Sequence, residues 1–377
     1  MAGKPRLLVL ATTFPKSLAD GTPSFVLDLA SEHSKEFDVW VLTPMVPGAK
    51  RWETINNIKI SRFHYLWPAK EDLADGSIMD NLKQSFYQKL QLPFMLASFS
   101  YRFLFRVAAF RPNVIHAHWI IPGGLISKLA PWVPRVITTH GGDVYALNSK
   151  PLIFLKRLIL RNSLISTVNK DMRERLIENR LANDAQVIPM GVSLQRLDIK
   201  KKPKQIVFVG RLVEKKGCEY LLRAIKDLDC KLLVIGDGPL RNQLEAMAPE
   251  NAQFLGQQPK SKVMQYIAES QVMVIPSVIA KSGDREGLPV TLMEAAANKT
   301  AVIASDLSGI NEVVINAESG LLVQPKDVDG LYQAIQNLLT NETLRESLAD
   351  KLHLKAKEFD IEVVAGKYSE LLKKAMR

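Results

Sequence analysis

The sequence is poor in cysteine: Cys218 and Cys230 are the only two among 377 residues. Two are too few for a disulfide framework, and they do not have the spacing of a zinc site, so a reduced, cytoplasmic setting is expected. Long apolar runs are also missing. No stretch reaches 18 uncharged apolar residues, which leaves no candidate for a membrane-crossing helix. The opening MAGKPRLLVLATTFP has a charged start and an apolar continuation. That apolar part is short and lacks a small-x-small cleavage site, so it reads as a first β-strand and not as a signal peptide. There is no internal repeat and no low-complexity segment, which argues against a solenoid or a fibrous chain.

The length exceeds one typical domain and suggests two, each of about 150–200 residues. Charge is distributed unevenly. Residues 1–190 hold 24 Lys/Arg and 15 Asp/Glu, a balance of +9, whereas residues 191–377 hold 26 and 24, a balance of +2. A basic first half suggests an acidic partner: anionic lipid, a phosphorylated acceptor or nucleic acid.

Short β-type runs alternate with helical patterns throughout, the signature of doubly wound parallel sheets. The stretch Pro189–Lys204, PMGVSLQRLDIKKKPK, has no apolar period and is followed by a fresh strand, QIVFVG. It reads as a linker (189–204) between two Rossmann-like domains, 1–188 and 205–360. Ligands of such sheets lie at the C-terminal ends of the strands, so one ligand in a cleft between the domains is expected. Helices are expected at Phe94–Phe110, Leu288–Asn298 and Gly309–Asn316, among others.

The most informative stretch is GDREGLPVTLMEAAA, residues 283–297. Pro289 suits the first turn of a helix, which puts Glu286 in the loop before it and Glu294 about a turn and a half inside. The two carboxylates would then lie on the order of 7–12 Å apart, too far to share a proton but suited to gripping different parts of an extended ligand. A helix start favours phosphate and a carboxylate repels it, so Glu286 is assigned to sugar hydroxyls. The alternative for Glu286 is an acidic residue favouring the helix dipole, and for Glu294, in the apolar run LMEAAA, a buried salt bridge. In VGRLVEKKG, Arg211 and Lys216 follow a strand, a forked donor and a point charge such as a diphosphate needs; Lys215 is expected to face solvent. The alternative is a solvated basic loop.

In the first half, the turn containing Gly21 could turn backbone N–H groups to a phosphate or be a plain turn. In HAHWIIPGG, His116 and His118 share one strand face, which suggests a hydrogen-bonding pair or two core histidines; no third ligand accompanies them, so a metal site is not expected. In TTHGGDVY, His140 ends a strand before two glycines that allow close approach of a substrate. Asp143 belongs either to the same site or to a turn cap. The G-x-G of VIGDGP lacks the third glycine of a dinucleotide fingerprint and reads as a tight turn. Finally, Lys83–Arg111 interleaves basic and aromatic residues, as an interfacial helix does; a core helix over Phe94–Phe110 is the alternative.

VGRLVEKKG, IGDGP, FLGQ at 254–257, the span Glu286–Glu294 and SGINEVV at 308–314 together resemble family-4 retaining glycosyltransferases of GT-B architecture. SVIAKSGDREGLPVTLMEA most resembles the bacterial exopolysaccharide branch, of colanic acid and amylovoran type. The resemblance implies a GT-B fold whose last helix, about 361–377, returns to the first domain, and a nucleotide-sugar donor held mainly by the second. Arg211 and Lys216 would hold the diphosphate, Glu286 the sugar hydroxyls together with Gly287 and Leu288, and Glu294 the ribose. His140 would contact the donor sugar and Gly21 the phosphates, with His118 and Asp143 on the acceptor side. The implied acceptor is a saccharide or a lipid-linked saccharide at an anionic membrane surface, with no metal, no cofactor and no nucleic acid. The phrase IPMGVS departs from the family's pattern at Met190 and Ser193, and the first turn has one glycine where many members have two. Three rivals stand beside this reading: a glycoside hydrolase using Glu286 and Glu294, a nicotinamide-dependent oxidoreductase, and a non-catalytic basic protein that binds membrane or RNA.

Overall fold

The computed structural model describes residues 3–17, 24–67, 71–76, 78, 81–82 and 85–377. Gly21 and Lys83 lie outside the described residues. The chain forms two compact units, one of residues 1–168, 172–188 and 362–377, the other of residues 169–171 and 189–361.

The first unit is built on an eight-stranded sheet. Its strands are β1 (Arg6–Leu10), β2 (Asp38–Pro44), β3 (Trp52–Ile55), β4 (Ile58–Phe63), β5 (Val114–His118), β6 (Arg135–Thr139), β7 (Leu164–Thr167) and β8 (Gln186–Val187), in the order β3-β4-β2-β1-β5-β6-β7-β8. All pairings are parallel except β3 with β4. That hairpin turns through Asn56 and Asn57, both at positive φ, as a two-residue hairpin turn requires. Strands β1, β5 and β6 are buried almost throughout because both faces of a parallel sheet are covered. The C-terminal helix, Ile361–Ala375, is tied to this unit through Tyr368, whose hydroxyl donates to Ile188 O at 3.0 Å.

Two helices of this unit matter below. Helix α1 is Phe25–His33, and α2 is Phe86–Phe110. The sequence places the start of α2 at Phe94, after Pro93. The helix instead runs eight residues further back and is capped by the Ser85 hydroxyl, which accepts from Gln88 N at 3.3 Å. Pro93 is tolerated because it sits on the exposed side, where a carbonyl that loses its helical donor can turn to water. The next long helix, α3, is Lys150–Leu160.

The second unit has a fully parallel six-stranded sheet: β9 (Gln205–Val209), β10 (Lys231–Ile235), β11 (Ala252–Gly256), β12 (Val272–Ile275), β13 (Ala301–Ser305) and β14 (Leu321–Val323), in the order β11-β10-β9-β12-β13-β14. Strand alternation splits its core in two. Ile206, Phe208 and Val234 face one side, and Val207, Leu233 and Ile235 the other. Helix α4 is Cys218–Ala224 and α5 is Val290–Ala297. Residues 309–316, expected as a helix, form successive turns instead. Gly309 sits at φ +90, outside the helical region. The stretch 189–204 is without strand or helix apart from a bridge of Val192 to Asp360. Lys201 holds it down, donating to Ser270 O and Thr300 Oγ1, each at 2.9 Å.

Candidate functional site

In the second unit the chain leaves β9 through Gly210 and Arg211 and makes a single 3₁₀ turn, Glu214–Lys216, before Gly217 and α4. Gly217 is at φ +62, and a Cβ there would meet Pro276 O at 1.8 Å, so only glycine fits. The Lys216 stem crosses Gly210 closely enough that a Cβ at 210 would meet its Cδ at 3.3 Å. Its Nζ then lies 3.0 Å from Glu286 Oε2. Two residues expected to serve one ligand from sequence positions 70 apart are thus in direct contact.

Lys215 does not face bulk solvent, as expected, but pairs with Asp284 at 3.1 Å and lies 3.9 Å from Glu286. Burial pushes the Glu286 carboxyl up, but the charges of Lys216 and Lys215 and the Lys216 hydrogen bond outweigh it, and its pKa lies below the ordinary 4.5. Glu286 is therefore a buried anion between two cations. A general acid needs the opposite shift, so the hydrolase rival loses its proton donor at this position.

Pro289, with φ −66 and ψ 122, precedes α5 instead of lying inside it, and the helix begins at Val290. Glu286 is in the preceding loop, and Glu294 is the fifth helical residue and buried. Between them, Gly287 and Leu288 are held from the backbone outward. Asn169 Nδ2 donates to Gly287 O at 2.9 Å, and Gly309 passes so close that a Cβ there would meet the same oxygen at 1.9 Å. Leu288 packs on the unit's core. Asn169 is a site residue the sequence reading missed; nothing local to VNKD points 118 positions ahead.

In the first unit the histidines gather. His118 Nδ1 and His140 Nε2 are 2.9 Å apart with stacked rings, and Phe25 and Trp119 bracket His140 at 5.1 and 4.7 Å between ring centres. His116 bonds Thr138 Oγ1 at 2.8 Å instead of pairing with His118 through a nitrogen. Burial pushes His140 down to about 3 and His118 well below 6.5, each aided by a neighbouring histidine. Both rings are neutral near pH 7, so one N–H serves the pair, and the tautomer of His118 dictates that of His140.

His118 and Asp143, expected on the acceptor side, are committed to hydrogen bonds within the unit. Both are buried, His118 to 1% exposure. Asp143 Oδ1 accepts from the backbone N–H of His140 at 3.0 Å and of Gly141 at 3.1 Å, and Oδ2 from Ile120 N–H at 3.1 Å. Burial raises its pKa, and these N–H groups pull it part of the way back. Asp143 is the turn cap that fixes His140, and His118 orients its ring. Trp119 and Phe25 were not singled out from sequence; the Trp of HAHW was the available signal.

The chain is similar to known proteins along most of its length. A profile described as Glycosyl transferases group 1 matches residues 192–353, and one described as Glycosyltransferase Family 4 matches residues 19–196. An uncharacterized glycosyltransferase of Methanocaldococcus jannaschii is 30% identical over 259 residues, 66% of this chain and 72% of that protein. The amylovoran biosynthesis glycosyltransferase AmsK of Erwinia amylovora is 28% identical over 256 residues, 62% of this chain and 63% of that protein. The solved structure of Anabaena HepE in complex with UDP-glucose superposes with a TM-score of 0.73 at 15% identity, over 98% of this chain and 99% of that one. The chain belongs to the family-4-type glycosyltransferases of GT-B architecture.

Proposed function

We propose that the protein is a retaining hexosyltransferase that draws on a UDP-sugar, in preference to a GDP-sugar, and elongates a saccharide or lipid-linked saccharide in polysaccharide or glycolipid synthesis on the cytoplasmic side of an anionic membrane. The observation that carries this reading is the contact of Lys216 with Glu286 on loops closed by glycine. A cation held by a buried carboxylate is kept in place and charged until a more anionic group arrives. Arg211 and Lys216 hold the donor diphosphate, Glu286, Gly287 and Leu288 the sugar, and Glu294 the ribose; His140 meets the donor sugar. The relatives' names support a sugar polymer as the product class, and the UDP-glucose bound by HepE supports uridine.

In the reaction, the bond from the anomeric carbon to the diphosphate oxygen breaks, and a bond to the acceptor hydroxyl oxygen forms on the same face. The acceptor proton passes to the departing phosphate. Negative charge builds on the diphosphate, so fixed cations at Arg211 and Lys216 lower the barrier; one such donor is worth roughly 3–4 kcal/mol. These two cations supply the charge that a metal ion supplies elsewhere, so activity should survive EDTA. The test is a thermal-shift panel of UDP, GDP, ADP and their sugars, followed by product NMR. A ligand at 100 times its dissociation constant stabilises by about 2.7 kcal/mol. No response to any nucleotide, or an inverted anomeric centre, sinks the proposal.

A further inference from the structure

The net charge of the chain is not spread over it. Residues 81–170 contain twelve Lys/Arg and one acidic residue, Asp143, so this stretch alone carries +11; the other residues, 38 of each sign, balance to zero. Asp143 is buried and committed to backbone N–H groups, so the surface of this stretch has no acid at all.

Helix α2 lies in this stretch and has two apolar faces. Met95, Phe99, Phe103, Val107 and Phe110 form its buried side together with Gln91 and with Arg106, whose guanidinium lies 3.6 Å from the Trp40 ring, and Phe99 stacks on Phe63 at 4.8 Å. At 3.6 residues per turn, Phe86, Leu90, Phe94, Tyr101, Leu104 and Phe105 fall in a stripe about 100° wide on the opposite side, about 28 Å long. All six are exposed, Phe86 at 74%, Tyr101 at 65% and Phe105 at 56%. A surface helix of a soluble protein normally carries charge there. Here the charges sit at the margins: Lys89 on one side, and on the other Arg102, whose guanidinium lies 5.6 Å from the Tyr101 ring. The apolar surface continues past Phe94 into a cavity of about 470 Å³ lined by His64, Tyr65, Leu66, Trp67 and Ser98, with Trp67 82% exposed. The β4–β5, β5–β6 and β6–β7 connections cross the sheet in one direction, so the right-handed rule for parallel crossovers puts them on one face. Trp132, at 70% exposure, and Phe154 of α3, at 59%, belong to those connections.

We propose that this face docks on an anionic phospholipid bilayer, with the α2 stripe seated at the level of the headgroups and Lys89 and Arg102 on lipid phosphates. Aromatic and aliphatic side chains flanked by cations, without acids, are what an interfacial helix presents. A second copy of the chain would set a basic surface without acids against another of the same sign. A nucleic acid would want the cations inside the stripe and not at its edges. Among the described residues no helix is long and apolar enough to cross a membrane, so the contact is peripheral. The inference rests on the reading above only in taking a membrane as the partner, not on the transfer chemistry.

The test is sedimentation of the full chain with vesicles of phosphatidylcholine alone or mixed with phosphatidylglycerol, with no donor or acceptor present. Binding to the mixed vesicles only, weakening with salt, is expected. The triple change Phe94→Ser, Tyr101→Ser and Phe105→Ser should abolish it. The pair Lys89→Glu and Arg102→Glu should cut partitioning by about 30-fold or more, at roughly fivefold per basic residue near the surface. Both variants should keep the wild-type thermal shift with UDP, which separates loss of docking from loss of folding or of the donor site. No binding to mixed vesicles at low salt overturns the proposal. So does binding that survives the triple change, a stripe-dependent dimer without vesicle binding, or binding of single-stranded RNA in place of vesicles.

Discussion

Removing the positive end of the Lys216–Glu286 pair should harm the fold as well as the chemistry. Lys216→Met leaves a carboxylate at 10% side-chain exposure without its 3.0 Å partner. Stranding one member of a buried pair costs about 3–5 kcal/mol. Lys215 remains 3.9 Å from Glu286, and Lys216 was 19% exposed, so a smaller cost, about 2–3 kcal/mol, is expected here. In a unit of this size that is a fall in melting temperature of about 4–10 °C. Glu286→Gln removes the charge instead, and the double variant leaves no ion uncompensated, so it should recover about half of the loss. At pH 7.5 the effect is at full size. The Glu286 pKa is lowered by folding, so its stabilisation is complete above the ordinary 4.5 and lost only as pH falls through the lower folded value. UDP separates structure from function in the same melts. Glu286→Gln should keep the UDP-dependent shift because Lys216 is still there, while Lys216→Met and the double variant should lose it. Scanning calorimetry of the four proteins with and without UDP measures both. If the two single changes are additive in stability to within about 0.5 kcal/mol, the pair is not coupled. An undiminished UDP shift in Lys216→Met removes Lys216 from the diphosphate.

Glu294→Gln should weaken binding of UDP itself, whereas Glu286→Gln should mainly lower turnover; titration calorimetry giving equal UDP losses in both would erase that division. Gly309→Ala would force a Cβ to within 1.9 Å of Gly287 O, so the loop must move: activity should fall at least 100-fold and melting should drop, and a wild-type rate would show that Gly287 need not stay where it is. The buried histidines should make the first unit acid-sensitive. Burial sets His33 at about 3 against 6.5 when unfolded, so the unfolded chain binds the extra proton between these values, and stability falls as pH drops from 6.5 toward 3, by about 1.4 kcal/mol per pH unit for each such group. His33→Phe should flatten the slope of melting temperature between pH 6.5 and 4.5; an unchanged slope would mean that His33 charges freely in the fold.

Sequence patterns carried the sheets because both faces of each are covered. Val207 and Phe208 are neighbours on opposite sides of β9 and equally buried, so the run QIVFV is apolar throughout and stands out. The short β3 has no such run: its residues are exposed or half-covered, and it exists because Asn56 and Asn57 turn the chain back. Pro93 hid the first two turns of α2, since a local rule for proline cannot know which carbonyl reaches solvent. Among site residues, those placed by local geometry were legible: Glu286 ahead of the helix and Glu294 within it follow from Pro289 alone. Contacts across sequence were not. The partners of Glu286 come from Lys215 and Lys216, and those of Gly287 from Asn169 and Gly309. Asp143 was open between a ligand role and a cap, and of the three backbone N–H groups that its carboxylate accepts, that of Ile120 comes from a residue no local pattern connects to it.

The glycines that gave the second half its family likeness pack on main chain. Gly236, at φ +132, lies against Gly210: a Cβ there would sit 2.0 Å from Gly210 O. The contact is bonded on both sides, Gly210 N to Ile235 O at 2.9 Å and Leu212 N to Asp237 O at 2.9 Å. In the same way Gly217 abuts Pro276 and Gly309 abuts Gly287. Each contact joins two loops at the same end of one sheet, and the loops so joined bear Arg211, Lys216 and Glu286. Backbone packed on backbone has no rotamers to lose, so it fixes loop positions more firmly than side-chain packing can. An ion pair needs that firmness: a lysine and a carboxylate 3.0 Å apart on mobile loops would lose to water. The G-x-G of IGDGP packs on the backbone of residues 210–212. It holds still the loop that bears Arg211 and leads to Lys216.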